Sequence, residues 1–141
     1  MDKSTPITIE ITVDAPIDKI WDAWSKPDHI VHWAFASDDW EASHAENDLH
    51  KGGRFKTVMG AKDQSVSFDF VGTYTEVIEN KIIEYDIDDG RHVRTVFEEK
   101  PEGVKIVQTF DPEHENTAEM QRSGWTSILD NFKKYVEGSQ K

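Results

Sequence analysis

His29 and His32 stand at i and i+3 beside Asp28, with His44 and His50 further along. Zinc needs three or four ligands on converging elements. No H-x-x-x-H or His/Glu helix pattern supplies them, so both histidines are expected on the surface of a short helix and no metal is assigned. Asp69 and Glu84 are the mid-strand acids, and either one, if buried with a raised pKa, would be a candidate general base. No serine sits in a nucleophile-elbow context. Gly52-Gly53 lacks a following Lys-Ser/Thr and reads as a turn rather than a phosphate cradle. Cysteine is absent, which removes disulfides, thiol catalysis and thiolate metal sites. No residue qualifies for a catalytic assignment, and no pattern calls for a cofactor.

The chemistry left is recognition. Trp21, Trp24, Trp33, Phe55, Tyr85, Phe97, Trp125 and Phe132 can face one interior. They either line an apolar pocket for a lipid-like or aromatic ligand or simply fill a core. Thr95 and Gln108 share the phase of apolar neighbours, and inward polar groups need partners. A ligand, a water or a backbone group would serve, and Tyr85 adds a hydroxyl. Gly124 lies in the middle of a helical pattern, where it costs ~1 kcal/mol relative to Ala. Either the sheet packs closely there or space is left for a ligand. With Ile128, these residues form the candidate cavity set.

The elements that must position them are read from periodicity. Ile7, Ile9, Ile11 and Val13 alternate with polar residues, as a half-buried strand does. Pro16 suits a helix's first turn, and Ile17, Ile20, Trp21 and Trp24 follow at helical spacing. Pro27 ends that helix and starts a short one carrying Ile30, Val31 and Trp33. Strands are expected over 40–46, 54–59 and 66–78, with Gly72 as a candidate bulge in the last. Gln121, Gly124, Trp125, Ile128, Leu129, Phe132, Tyr135 and Val136 recur at three and four, an amphipathic helix of about five turns. Its outer face, with Glu119, Arg122, Asp130, Lys133, Lys134 and Glu137, reads as solvated, with Asp130 and Lys134 paired at i, i+4. Residues 111–116 form a polar connection, and the tail from Gly138 is expected to fray.

One hairpin can be taken to residue level. Ile83, Tyr85 and Ile87 precede Asp88-Asp89-Gly90, and Val93, Thr95 and Phe97 follow. A two-residue turn would put the two apolar sets on opposite faces. A three-residue loop with Gly90 left-handed at a bulge puts them on one face, and the buried face decides register. Glu84 then opposes Arg94 and Asp86 opposes His92 on the wetter face, with Arg94 outside the fold.

Strands in a run with helices at the ends make an α+β pattern, and 141 residues suggest one domain over 1–141. The formal net charge of -12 carries no basic footprint for nucleic acid and disfavours anionic membrane surfaces. It either keeps the protein soluble or recruits a basic partner. No apolar run approaches the ~18 residues of a membrane span, and no secretory leader follows Met1, so a cytoplasmic location is expected.

Ala15-Pro16, Ile20-Trp21, Pro27 and Trp33, then Gly52-Gly53-Arg54-Phe55, Gly72-Thr73-Tyr74-Thr75-Glu76-Val77 with Ile83 and Tyr85, and Gly124-Trp125 with Leu129 occur in order. In this the sequence resembles the SRPBCC/START-like superfamily, and within it the group like the activator of Hsp90 ATPase homologue 1. The resemblance implies a helix-grip fold, a curved antiparallel sheet around a long C-terminal helix, with a cavity between them. Members of the superfamily include hydrophobic-ligand carriers, polyketide cyclases and aromatases, and a domain of the Hsp90 activator. Small-molecule binding is therefore the leading expectation. A co-chaperone-like domain with a chaperone partner and a cyclase-like enzyme are the alternatives.

Overall fold

The structure is a computed structural model that describes residues 5–35, 37–113 and 117–138. Alternation builds its sheet. In β1 (Ile7–Val13), Ile7, Ile9 and Val13 are buried while Thr8 and Glu10 are exposed. The chain then forms helices α1 (Ile17–Ser25) and α2 (Pro27–Ile30). Pro16 is the N-cap of α1, one residue outside its first turn, and Pro27 opens α2. An unbroken antiparallel meander follows: β2 (Trp40–Asn47), β3 (Arg54–Ala61), β4 (Ser67–Ile78), β5 (Ile82–Ile87), β6 (His92–Lys100) and β7 (Gly103–Phe110). β1 pairs with β7, giving a seven-stranded sheet in the order β1-β7-β6-β5-β4-β3-β2. The two short helices thus carry the chain from one edge of the sheet to the other.

The sheet curls around α3 (Ala118–Gly138), which buries Gln121, Leu129, Phe132 and Val136. This is the expected α+β helix-grip arrangement. Gln121 is satisfied by the chain before the helix: its amide accepts from Glu113 N at 2.8 Å and donates to Glu113 O at 3.2 Å. The expected connection over 114–116 and the fraying of 139–141 lie outside the described residues. Among the described residues no helix is long and apolar enough to cross a membrane.

The β5–β6 hairpin has the expected three-residue loop. Gly90 adopts φ +100°, which a side chain resists. Its N–H reaches Ile87 O at 2.8 Å, and Ile87 N reaches Arg91 O at 2.8 Å. Glu84 faces Arg94 and Asp86 faces His92 in register. Ile83, Tyr85, Ile87, Val93, Thr95 and Phe97 are all buried, and the Arg94 side chain is exposed.

Two expectations are corrected. The β4 bulge lies between Tyr74 and Glu76, not at Gly72. It switches the inward phase from Phe70 and Tyr74 to Val77, so both halves of a twelve-residue strand face the interior. Gly72 has another duty: it sits opposite both Phe55 and Ile87, and a Cβ there would lie 2.5 Å from Asp86 O and 2.7 Å from the Phe55 ring. The Phe55 ring therefore lies across bare backbone.

The outer face of α3 is also more than solvated. Arg122 donates to Thr8 O and Lys133 to Thr12 O, each at 2.7 Å. These carbonyls belong to the edge strand β1, whose free polar groups would otherwise invite another chain. The ion pair on this face is Lys133–Glu137 at 2.8 Å, and no described partner joins Asp130 to Lys134.

On the convex face His92 bridges Asp86 at 2.6 Å and Glu84 at 2.9 Å. Partial burial opposes its charge, but the bonds to Asp86 and Glu84 prevail and raise its pKa above the ordinary 6.5. A raised folded-state pKa stabilises the protein below the unfolded value, and this is lost as pH rises through the folded value. Urea midpoints should therefore fall over that window, and His92→Gln should flatten the wild-type-minus-variant difference above it. An imidazole titrating by NMR at or below 6.5 would contradict this. Gly72→Ala should cost about 1–3 kcal/mol, because the backbone oxygen it meets cannot move aside; unfolding titrations measure it.

Candidate functional site

Two aromatic groups, one around Phe132 and one around Trp125, hold the inner side of α3 against the rest of the fold. Toward its C-terminal half, Phe132 packs edge-on to Trp24 and Trp33 with centroids at 4.9 Å in each case, and the two indoles also lie 4.9 Å apart. Trp33 Nε1 donates to Ala23 O at 2.9 Å, so this buried indole is fully satisfied. Nearer the N-terminus, Trp125 stacks on Phe110 at 4.1 Å with an interplanar angle of 8°. A cavity of about 280 Å³ lies among these supports and the concave face of the sheet.

Seven residues of the sequence-derived set border it: Trp24, Trp33, Phe55, Tyr85, Gln108, Trp125 and Ile128. The other five stand behind or beside the wall. Trp21 packs on Phe97 with centroids at 5.5 Å, and Phe97 in turn meets Trp24 at the same distance. Thr95 is fully buried under Gln108 and accepts its amide N–H at 3.1 Å. Phe132 is also fully buried. Gly124 does not border the cavity, and a Cβ there would meet nothing within 4 Å. Close packing against the sheet is thus not the reason for this glycine.

The sequence reading missed several wall residues. Thr57 and Met59 share the phase of Phe55 along β3, so that signal was present. Phe70 and Tyr74 were hidden by the misplaced bulge. Arg91 also borders the cavity; it opposes the inward Ile87, which the three-residue loop already implied. Asn47 had no sequence signal. Its amide donates to Ser25 O at 2.6 Å and its carbonyl accepts from the Tyr74 hydroxyl, so it ties β4 to the end of α1.

Electrostatics separate the interior from the surface. Burial drives the Tyr74 phenol pKa up, against the lowering bond to Asn47 and with help from the Asp48 charge. Burial also raises that of Tyr85, with Tyr74 adding to the shift and Arg91 opposing it. Both phenols therefore stay protonated at neutral pH and act as hydrogen-bonding groups, not bases. The mid-strand acids lie elsewhere. Asp69 pairs with Lys56 at 3.6 Å on the exposed face, and Glu84 is held by His92 and Arg94. His32 is exposed and stacks on Tyr135, whereas His29 is half-buried and bonds the Tyr135 hydroxyl at 2.6 Å.

Residues 14–137 match the model of the family described as activator of Hsp90 ATPase homolog 1-like protein. The chain belongs to this family. A solution NMR structure of the AHSA1-like protein from Aeromonas hydrophila is 43% identical over 96% of this chain and 94% of that one, with a TM-score of 0.91. A protein from Cytophaga hutchinsonii is 50% identical over 95% of this chain and 93% of that one, with a TM-score of 0.81. A protein from Nitrosomonas europaea, 15% identical over 99% of both chains with a TM-score of 0.84, shares the fold. No curated protein matches. Within this family member, the Gly-Arg-Phe marker at 53–55 and the Gly-Thr-Tyr marker at 72–74 meet physically: Phe55 lies over Gly72 and contacts Tyr74 at 5.2 Å.

Because Gly124 has open space around its Cβ position, Gly124→Ala should stabilise the fold by about 1 kcal/mol through helix propensity. Urea unfolding tests this, and a loss of stability would reveal a close contact at that site.

Proposed function

We propose that this protein binds a small apolar or aromatic molecule in the cavity between the sheet and α3, without transforming it. The cavity itself carries the reading. Its walls come mainly from aromatic and aliphatic side chains, with polar groups among them, the composition that small-molecule sites use. Its volume of about 280 Å³ is at the low end for such sites, which favours a single ring system or a short chain over a full lipid. Binding would draw on apolar surface removed from water at roughly 25 cal/mol per Å², less the cost of ordering the ligand.

A second reading follows from the family's description: a co-chaperone-like domain that engages Hsp90 or another protein. Val66 and Phe68 support it, being 50% and 48% exposed at the β3–β4 end of the sheet, where Phe68 also borders the cavity. Trp40 lies 6.0 Å from the Phe68 ring and extends this apolar surface. A cyclase-like reaction has less support, since both cavity phenols are held protonated and no general base is assigned.

Detergent-free native mass spectrometry with organic extraction, followed by thermal shift across lipids, flavonoids and polyketide-like aromatics, tests the first reading. A discrete bound mass or a saturable shift is expected. An apo mass with no shift from any compound would overturn it and move the weight to the Val66–Phe68 surface. Stimulation of Hsp90 ATPase that Val66→Ser, outside the cavity wall, abolishes would then be the decisive result.

A further inference from the structure

The ligand-binding reading above leaves the polar end of the ligand open, and the cavity wall bears on it. Tyr85 is 8% exposed, and its hydroxyl bonds to no described residue. No polar side-chain atom among the described residues is sealed off without a partner, so this hydroxyl keeps accessible surface, and Tyr85 lines the cavity. Arg91 borders the same space from the β5–β6 hairpin. Asp89 occupies its Nε at 2.9 Å, while its two terminal nitrogens donate to no described residue. Arg91 stands opposite Ile87 on the facing strand, two positions along from Tyr85 and on the same face. Gln108 donates one amide N–H to Thr95 and has a second to offer.

Tyr85 and Arg91 thus bring donors to the hairpin end of the cavity, whereas Gln108, opposite Thr95, lies further along the sheet. Both hairpin groups are accessible, so an acceptor on a ligand would take the place of water at each. A carboxylate suits them best. It offers about four lone-pair sites on two oxygens and meets paired guanidinium nitrogens in a fork. Two carboxylates of the chain border the cavity as well. That of Glu46 is exposed and held by His44 at 2.8 Å, and Glu113 already has a partner. The net charge of -12 acts at long range and is screened over about 8 Å in physiological salt, whereas these bonds act at contact.

We infer that the cavity takes a small carboxylic acid, an aromatic ring or short chain bearing one carboxylate. The apolar part lies among Phe55, Phe70 and Trp125, and the carboxylate meets Arg91 and Tyr85.

Calorimetric titration of the full chain with naphthoate and with naphthylmethanol, its uncharged counterpart, tests this, beside Arg91→Gln and Tyr85→Phe. Amide NMR spectra check that each variant is folded. Wild type should prefer naphthoate by about tenfold or more, the scale of one charge-assisted hydrogen bond. Each variant should lose most of that preference. Equal affinities in wild type, unchanged in both variants, would overturn the carboxylate assignment and leave the cavity reading standing. Binding of neither compound would overturn both.

Discussion

The packing of Phe132 against Trp24 and Trp33 is the contact on which the rest of the structure depends. A curled sheet has one concave face, and α3 is the long helix that covers it. The aromatic cluster ties that helix to α1 and to the segment after α2, and the Phe110–Trp125 stack ties it to β7. Aromatic pairs add about 0.5–1.5 kcal/mol each beyond their area. Their geometric effect matters more here. Two rigid supports hold the helix at a distance, and the side chains between them do not fill the gap.

The polar groups are divided in a way that serves the same end. The convex face carries charged cross-strand pairs around His92, which are exposed and individually weak. The concave face carries few polar groups, and most are paired: Gln108 with Thr95, Tyr74 with Asn47, and the Trp33 indole with Ala23. Tyr85 and Arg91 stand out against that thrift. The edge strand β1 is covered by the same helix, since Arg122 and Lys133 donate to its carbonyls. One helix therefore closes the core, borders the cavity and protects an edge.

A family assignment and a fold do not by themselves assign an activity, because one scaffold supports many sites. What separates a carrier from a protein-interaction domain here is which apolar surface matters. The cavity wall is concave and mixed with polar groups, whereas Val66 faces solvent and Phe68 both borders the cavity and is half exposed. A concave wall selects small molecules by shape, and an exposed patch selects proteins.

Much of the frame was legible in the residues. Period-two alternation located β1, β5, β6 and β7, three-four spacing located α3, and one buried face was enough to choose the β5–β6 loop and pair Glu84 with Arg94 and Asp86 with His92. The inward setting of Thr95 and Gln108 followed from the same rule. The bulge after Tyr74 was not legible, because an extra residue leaves no compositional mark when Gly72 offers a more obvious candidate. Nor were the roles of Arg122 and Lys133, which read as solvated charge until the free edge of β1 is placed beside them. Which aromatics fill the core and which line a space was likewise decided only by tertiary structure. Trp24 and Phe132 have the same chemistry and similar helical phase, but one borders the cavity and the other is enclosed. Periodicity states which way a side chain points, whereas a cavity is the volume left after several elements have packed, and no single segment encodes that remainder.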